Sequence, residues 1–197
     1  MINLSLKEFL KLSKKGNVIP VFKEINADLD TPVSAFLKIK QSDYAFLLES
    51  VEGQEKIARY SFLGSGPSLI FKSKGKQIEI IDVVKNKKRS FITAGSPLDE
   101  IKKIMQDFRS VEVAGLPRFY GGLVGYIGYD TVRFFENIPD KNKDDLKIPD
   151  ILLLLTDSLL IFDRLNHTLK IVSNVILSKS LNDSKKAQLY AQAIKKI

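Results

Sequence analysis

The 197-residue sequence contains no cysteine. That excludes a disulfide framework and thiolate metal sites, and nothing points to an oxidising compartment. Histidine is nearly as scarce. The one histidine, His167, lies in "DRLNHTLK" between two apolar runs, where a solvated turn is expected, and histidine-based catalysis is set aside. Long apolar runs are lacking too. The longest, "ILLLLTDSLLIF" at 151–162, is broken by Thr156, Asp157 and Ser158 and is shorter than the roughly 20 residues of a membrane-spanning helix. The opening "MINLSLKEFLKLSKKGN" mixes Ile2, Leu4, Leu6, Phe9, Leu10 and Leu12 with lysines and offers no small-residue cleavage site. It reads as an amphipathic helix closed by Gly16, not as a signal peptide. A cytoplasmic protein with no membrane partner is expected.

What is present is ordinary for a globular chain: 44% hydrophobic and 27% charged residues, in a length that fits one domain or a large piece of a longer protein. The formal charge of +8 comes mostly from lysines grouped as "SKK", "KSKGK", "KNKKR" and "DKNKDDLK". These sit at turn-like positions without interleaved aromatics, so they read as a solvated surface and no nucleic-acid partner is expected. Anionic small molecules remain compatible with the charge.

Periodicity predicts strands with few helices. "VIPVFKEI" is extended, and Pro20 marks an edge or a strand start. "DTPVSAFLKIK" reads as a helix capped by Asp30 or Thr31, with Pro32 in its first turn and Phe36 and Leu37 facing inward. "YAFLLES" and "KIARYSFLG" form a hairpin-like pair, and residues 68–92 alternate as antiparallel strands with one wet face. "SPLDEIKKIMQDF" is an amphipathic helix capped by Ser96, with Leu98, Ile101, Ile104, Met105 and Phe108 on one stripe. "RFYGGLVGYIGYDTVRFFENI" reads as a glycine-rich strand leading through Asp130 into a helix, and 150–176 as two or three strands. The fold class expected is α+β, built on antiparallel sheets with flanking helices. "NDSKKAQLYAQAIKKI" places Ala187, Tyr190, Ile194 and Ile197 on one helical stripe, and the chain stops within it. The N-terminal part of a larger protein is therefore expected.

Two segments invite a functional reading. The glycines Gly121, Gly122, Gly125 and Gly128 match neither a dinucleotide turn nor a P-loop, so close packing is the favoured role. In "FLLES", regular alternation puts Phe46, Leu48 and Ser50 on one face and Leu47 and Glu49 on the other. A carboxylate among apolar residues needs a partner. Arg59, on the neighbouring strand, is the expected internal one; an external cation is the alternative.

The segments "PVFKEINADLDTPVSAFLKI", "YAFLLESVEGQEKIARYSFLG" and "PRFYGGLVGYIGYDTVRFFENIP", in this order and spacing, closely resemble the N-terminal region of anthranilate synthase component I. The resemblance spans nearly the whole chain. It implies a lyase of tryptophan biosynthesis that converts chorismate and ammonia to anthranilate and pyruvate with Mg²⁺. The ammonia would come from glutamine through a partner amidotransferase subunit, component II. It also implies that the chorismate and Mg²⁺ sites lie in a C-terminal half outside these 197 residues, leaving no catalytic or metal-binding residues here and an inactive fragment. What remains is an L-tryptophan feedback-inhibition site at Leu48, Glu49 and Ser50, with Pro32 beside it. An indole-bearing zwitterion wants an apolar wall, an acceptor for its ammonium and a hydroxyl partner, which suits these residue types. Two alternatives stay open: aminodeoxychorismate synthase of the folate branch, which more often carries Asp in place of Glu49, and a stand-alone amino-acid-binding regulatory module.

Overall fold

The computed structural model describes residues 2–49, 59–141, 143–178 and 180–197. Two compact units are interleaved along the chain: Met1–Pro67 with Phe108–Gly122 and Thr156–Ile197, and Ser68–Asp107 with Leu123–Leu155.

The first unit is built on a five-stranded sheet. Its strands are β1 (Val18–Asn26), β2 (Ala45–Leu48), β3 (Tyr60–Ser65), β9 (Ser158–Asp163) and β10 (Thr168–Ile176), in the order β1-β10-β9-β3-β2 with every pairing antiparallel. Pro20 lies on β1 at the sheet edge, where its missing N–H costs no ladder bond. One face carries Leu63, Phe162 and Leu169, packed by Ala35, Phe36 and Ile39 of α2 (Pro32–Ile39). The opposite face carries Phe22, Leu159, Ile161 and Val172 under Val113, Leu116, Phe119 and Tyr120. α1 (Leu6–Leu12) and α4 (Asp183–Lys196) close a third cluster, in which the Phe9 and Tyr190 rings lie 5.1 Å apart.

The helix ends follow from capping. Ser5 and Glu8 satisfy each other's backbone N–H groups at the start of α1, and Thr31 and Ser34 do the same at α2. Two expectations are corrected here. Leu37 is 68% exposed; it lies about 200° around the helix from the buried Ala35, and Ile39 takes the inward position instead. Gly16 does not close α1, which ends at Leu12. Gly16 serves a close approach: a Cβ there would stand 2.4 Å from the Arg109 carbonyl oxygen.

The second unit holds the sheet β6-β5-β4-β8-β7, with β4 (Leu69–Lys74), β5 (Gln77–Asp82), β6 (Lys87–Ile92), β7 (Gly122–Ile127) and β8 (Ile151–Thr156). Phe71, Ile78, Ile80, Ile151 and Leu153 share one face and pack against Leu98, Ile101 and Ile104 of α3 (Pro97–Gln106), the expected helical stripe. The other face is wet at Lys72, Glu79 and Lys88, as alternation predicts. It is buried at Ile70 and Leu154, which alternation alone does not show. A Cβ on Gly125 would stand 1.9 Å from the Leu152 carbonyl oxygen, so that glycine lets β7 lie against β8. The segment containing Asp130 forms a 3-10 helix, Tyr129–Phe134, rather than an α-helix.

Candidate functional site

β2 is four residues long and alternates regularly. Leu47 points into the cluster under α2, and Leu48, cross-strand from Phe62, lies on the other face and is 48% exposed. Glu49 follows directly, half-buried. Its carboxylate is ion-paired with Arg164, in the turn between β9 and β10. The expected Glu49–Arg59 pair is not formed. Arg59 instead makes a bidentate pair with Asp163, Nε to Oδ1 at 2.9 Å and Nη2 to Oδ2 at 2.6 Å. Strand register is the reason: Tyr60 is opposite Asp163, which sets Arg59 at the end of β9.

Asp163 is fully buried, and its carboxylate also accepts hydrogen bonds from the Leu165 and Asn166 backbone N–H groups and the Asn166 side chain. Burial pushes its pKa up, but the hydrogen bonds and charge of Arg59 with those N–H groups outweigh it and leave the carboxyl below the ordinary 3.8. The Arg164 N–H donates to the Arg59 carbonyl oxygen at 2.9 Å, so the two arginines belong to one braced corner. The arrangement leaves a partly exposed carboxylate, already held by an arginine, beside an exposed leucine. A carboxylate can accept from a second cation while keeping the first.

Of the other residues expected here, Ser50 lies outside the described residues. Pro32 occupies the first turn of α2, the helix whose Ala35, Phe36 and Ile39 pack with Leu47. Arg164 is the residue that sequence reasoning missed. Its only sequence signal is an arginine directly after the strand-ending Asp163, and the sheet order is needed to bring it to Glu49.

In the second unit an open cleft of about 600 Å³ is lined by Lys74, Tyr126, Tyr129, Arg133, Asp144 and Asp150, among others. Lys74 sits 2.7 Å from Asp144 and 3.0 Å from Asp150, hydrogen bonds that raise its pKa well above the ordinary lysine value. Arg133 is committed to Asp130 and to the Ile138 and Pro139 carbonyls. Lys74 and Arg133 are thus both paired with carboxylates of the same cleft. Among the described residues, no group of three or more His, Cys, Asp or Glu side chains is placed to hold a metal ion. No helix among them is long and apolar enough to cross a membrane.

Two antiparallel sheets with flanking helices make this an α+β protein, and the solved-structure comparison agrees on the fold. Anthranilate synthase component I from Streptococcus pneumoniae TIGR4 matches with a TM-score of 0.51 at 22% identity, over 87% of this chain and 36% of that one. No protein-family model matches the sequence. Curated relatives do. Anthranilate synthase component 1 of Aquifex aeolicus is 40% identical over 183 residues, 92% of this chain, and that of Acetivibrio thermocellus is 41% identical over 171 residues, 87% of this chain. The chain is therefore a homologue of the anthranilate synthase component 1 proteins. It spans about a third of their length, 36% and 34% of those two relatives.

Proposed function

We propose that the chain forms part of an anthranilate synthase component I, and that the end of β2 contributes its L-tryptophan feedback site. The observation carrying the first statement is 40% identity sustained over 92% of the chain to a protein of that name. The whole protein would convert chorismate and ammonia to anthranilate and pyruvate in tryptophan biosynthesis, taking ammonia from a glutamine amidotransferase subunit. Chorismate binding and metal chemistry are assigned to the part of the protein this chain does not span. Alone, the chain makes no anthranilate.

The second statement rests on the β2 corner. Leu48 offers an apolar surface for an indole, the partly exposed Glu49 carboxylate an acceptor for the ammonium, and Ser50 a hydroxyl for the ligand's polar end. Arg164 fixes the Glu49 carboxylate before any ligand arrives, which lowers the ordering cost of binding. Pro32, in the first turn of α2, lies beside this pocket. Inhibition follows if the ligand favours an arrangement poor at binding chorismate, with reciprocal effects on the two affinities.

The test is a chimera in which this chain replaces the matching third of the Aquifex aeolicus relative, incubated with chorismate, Mg²⁺ and ammonium. Anthranilate from the chimera, and none from the isolated chain, is the expected result. Aminodeoxychorismate or no product from a folded chimera overturns the reading.

A further inference from the structure

A zwitterionic amino acid brings two charges to its site. The proposed corner answers the ammonium with Glu49 and leaves the α-carboxylate without a cation. Two arginines stand there, Arg59 and Arg164. Arg59 is committed: its Nε and Nη2 grip both oxygens of the buried Asp163 carboxylate, and its guanidinium carbon lies 4.9 Å from the centre of the Tyr60 ring. Turning it towards a ligand would strand a buried charge, at high cost. Arg164 is different, because the carboxylate it holds is itself partly in water; the Arg164 and Glu49 side chains are 35% and 23% exposed. That pair can take on further partners without leaving a buried charge alone.

The backbone beneath Arg164 is held on every side. Its N–H donates to the Arg59 carbonyl oxygen at 2.9 Å, and the next two N–H groups donate to Asp163 at 3.1 and 3.3 Å. The His167 carbonyl oxygen accepts from the Ala27 N–H at 2.9 Å. The β9–β10 turn therefore presents the guanidinium from a fixed base, which lowers the ordering cost of any contact it makes. The four charges of the corner, Glu49 and Asp163 against Arg59 and Arg164, sum to zero. A neutral corner with one accessible charge of each sign favours neither a plain amine nor a plain acid. A zwitterion laid antiparallel on the Glu49–Arg164 pair gives all of these charges opposite neighbours.

We infer that Arg164 receives the α-carboxylate of the ligand, so that Glu49 and Arg164 form a clamp for the zwitterionic head of an amino acid beside the exposed Leu48. A guanidinium carries five N–H donors in a planar fork and can serve two carboxylates at once. The inference rests on the proposed function and adds its specificity: the site takes a free α-amino acid in preference to the corresponding amine or amide.

Calorimetric affinities of the chimera for L-tryptophan and L-tryptophanamide test this, since the amide keeps the indole and the ammonium and lacks the negative charge. The parent chimera is expected to bind tryptophan at least about tenfold more tightly than the amide, as befits a lost charge-assisted contact. Arg164→Gln is expected to bring the ratio of the two affinities close to one. Any loss that Arg164→Gln causes only by misplacing Glu49 weakens both ligands alike and leaves the ratio unchanged. An unchanged ratio with tryptophan still bound therefore overturns the inference while the feedback site at Glu49 stands, and so does a parent chimera without the preference. If the glutamine variant does not fold, Arg164→Met, which keeps the apolar stem, carries the same comparison. A folded parent chimera that binds neither ligand removes the feedback site and the inference together.

Discussion

The sheet β1-β10-β9-β3-β2 packs apolar clusters against both faces and still admits Asp163, fully buried, and Lys170, 6% exposed. The sheet β6-β5-β4-β8-β7 keeps Lys72, Glu79 and Lys88 partly in water, with Lys88 Nζ 2.6 Å from Glu79. The difference lies in what each charge is asked to do. In the first sheet a buried carboxylate is tolerated only because Arg59 and three N–H groups saturate it, and that saturation fixes the strand end next to Glu49 and Arg164. In the second, ion pairs decorate a surface and could be exchanged at little cost. A binding corner is better founded on the first kind, because its geometry does not depend on salt or solvent.

The comparison is broken most severely at Asp163. Asp163→Ala strands the Arg59 guanidinium and three donors, and should lower unfolding free energy by about 3 kcal/mol, read by chemical denaturation. The same carboxyl sets a pH signature. Its native pKa is depressed below 3.8, so its contribution is complete above that value and is lost as pH falls through the native one. Acid denaturation of the parent should therefore show a larger stability loss below about pH 4 than that of the Asp163→Ala protein. An identical acid limb in both proteins would remove Asp163 from the account.

A step down in size lies in the second sheet, where backbone and not charge is the constraint. Gly125→Ala sets a methyl carbon against the Leu152 carbonyl oxygen, 1.9 Å from the ideal position. It should cost about 2 kcal/mol and loosen β7 from β8, visible as faster exchange of the 122–127 peptide. Glu79→Ala should have the smallest effect, below about 1 kcal/mol and shrinking further in molar salt. If Glu79→Ala cost as much as Asp163→Ala, the contrast between the sheets would be wrong.

Much of this architecture is legible in the residues. Alternation with the turns "KSKGK" and "KNKKR" delivers β4, β5 and β6, and Thr31-Pro32 and Ser96-Pro97 mark the starts of α2 and α3. These signals are local, so no tertiary information is needed to read them. The partner of Glu49 is not local. Arg164 stands 115 residues away, and it reaches Glu49 because β9 inserts between β10 and β3, an order that no strand pattern encodes. Leu37 faces out because α2 buries the stripe of Ala35, Phe36 and Ile39, and Leu37 lies about 200° around the helix from Ala35. That the carboxylate in "FLLES" needs a partner is legible because the chemistry of a surfacing carboxylate is local, whereas the identity of that partner, Arg164, is a property of the sheet.

The most direct measurement is inhibition of the chimera's anthranilate formation by L-tryptophan, with Ser50→Phe and Glu49→Gln made in the same background. The account predicts inhibition in the parent chimera, at least about tenfold weakened in each variant because a charged or filled contact is lost, with uninhibited turnover unchanged. Unaltered inhibition in both variants, or none in an active parent chimera, would contradict it.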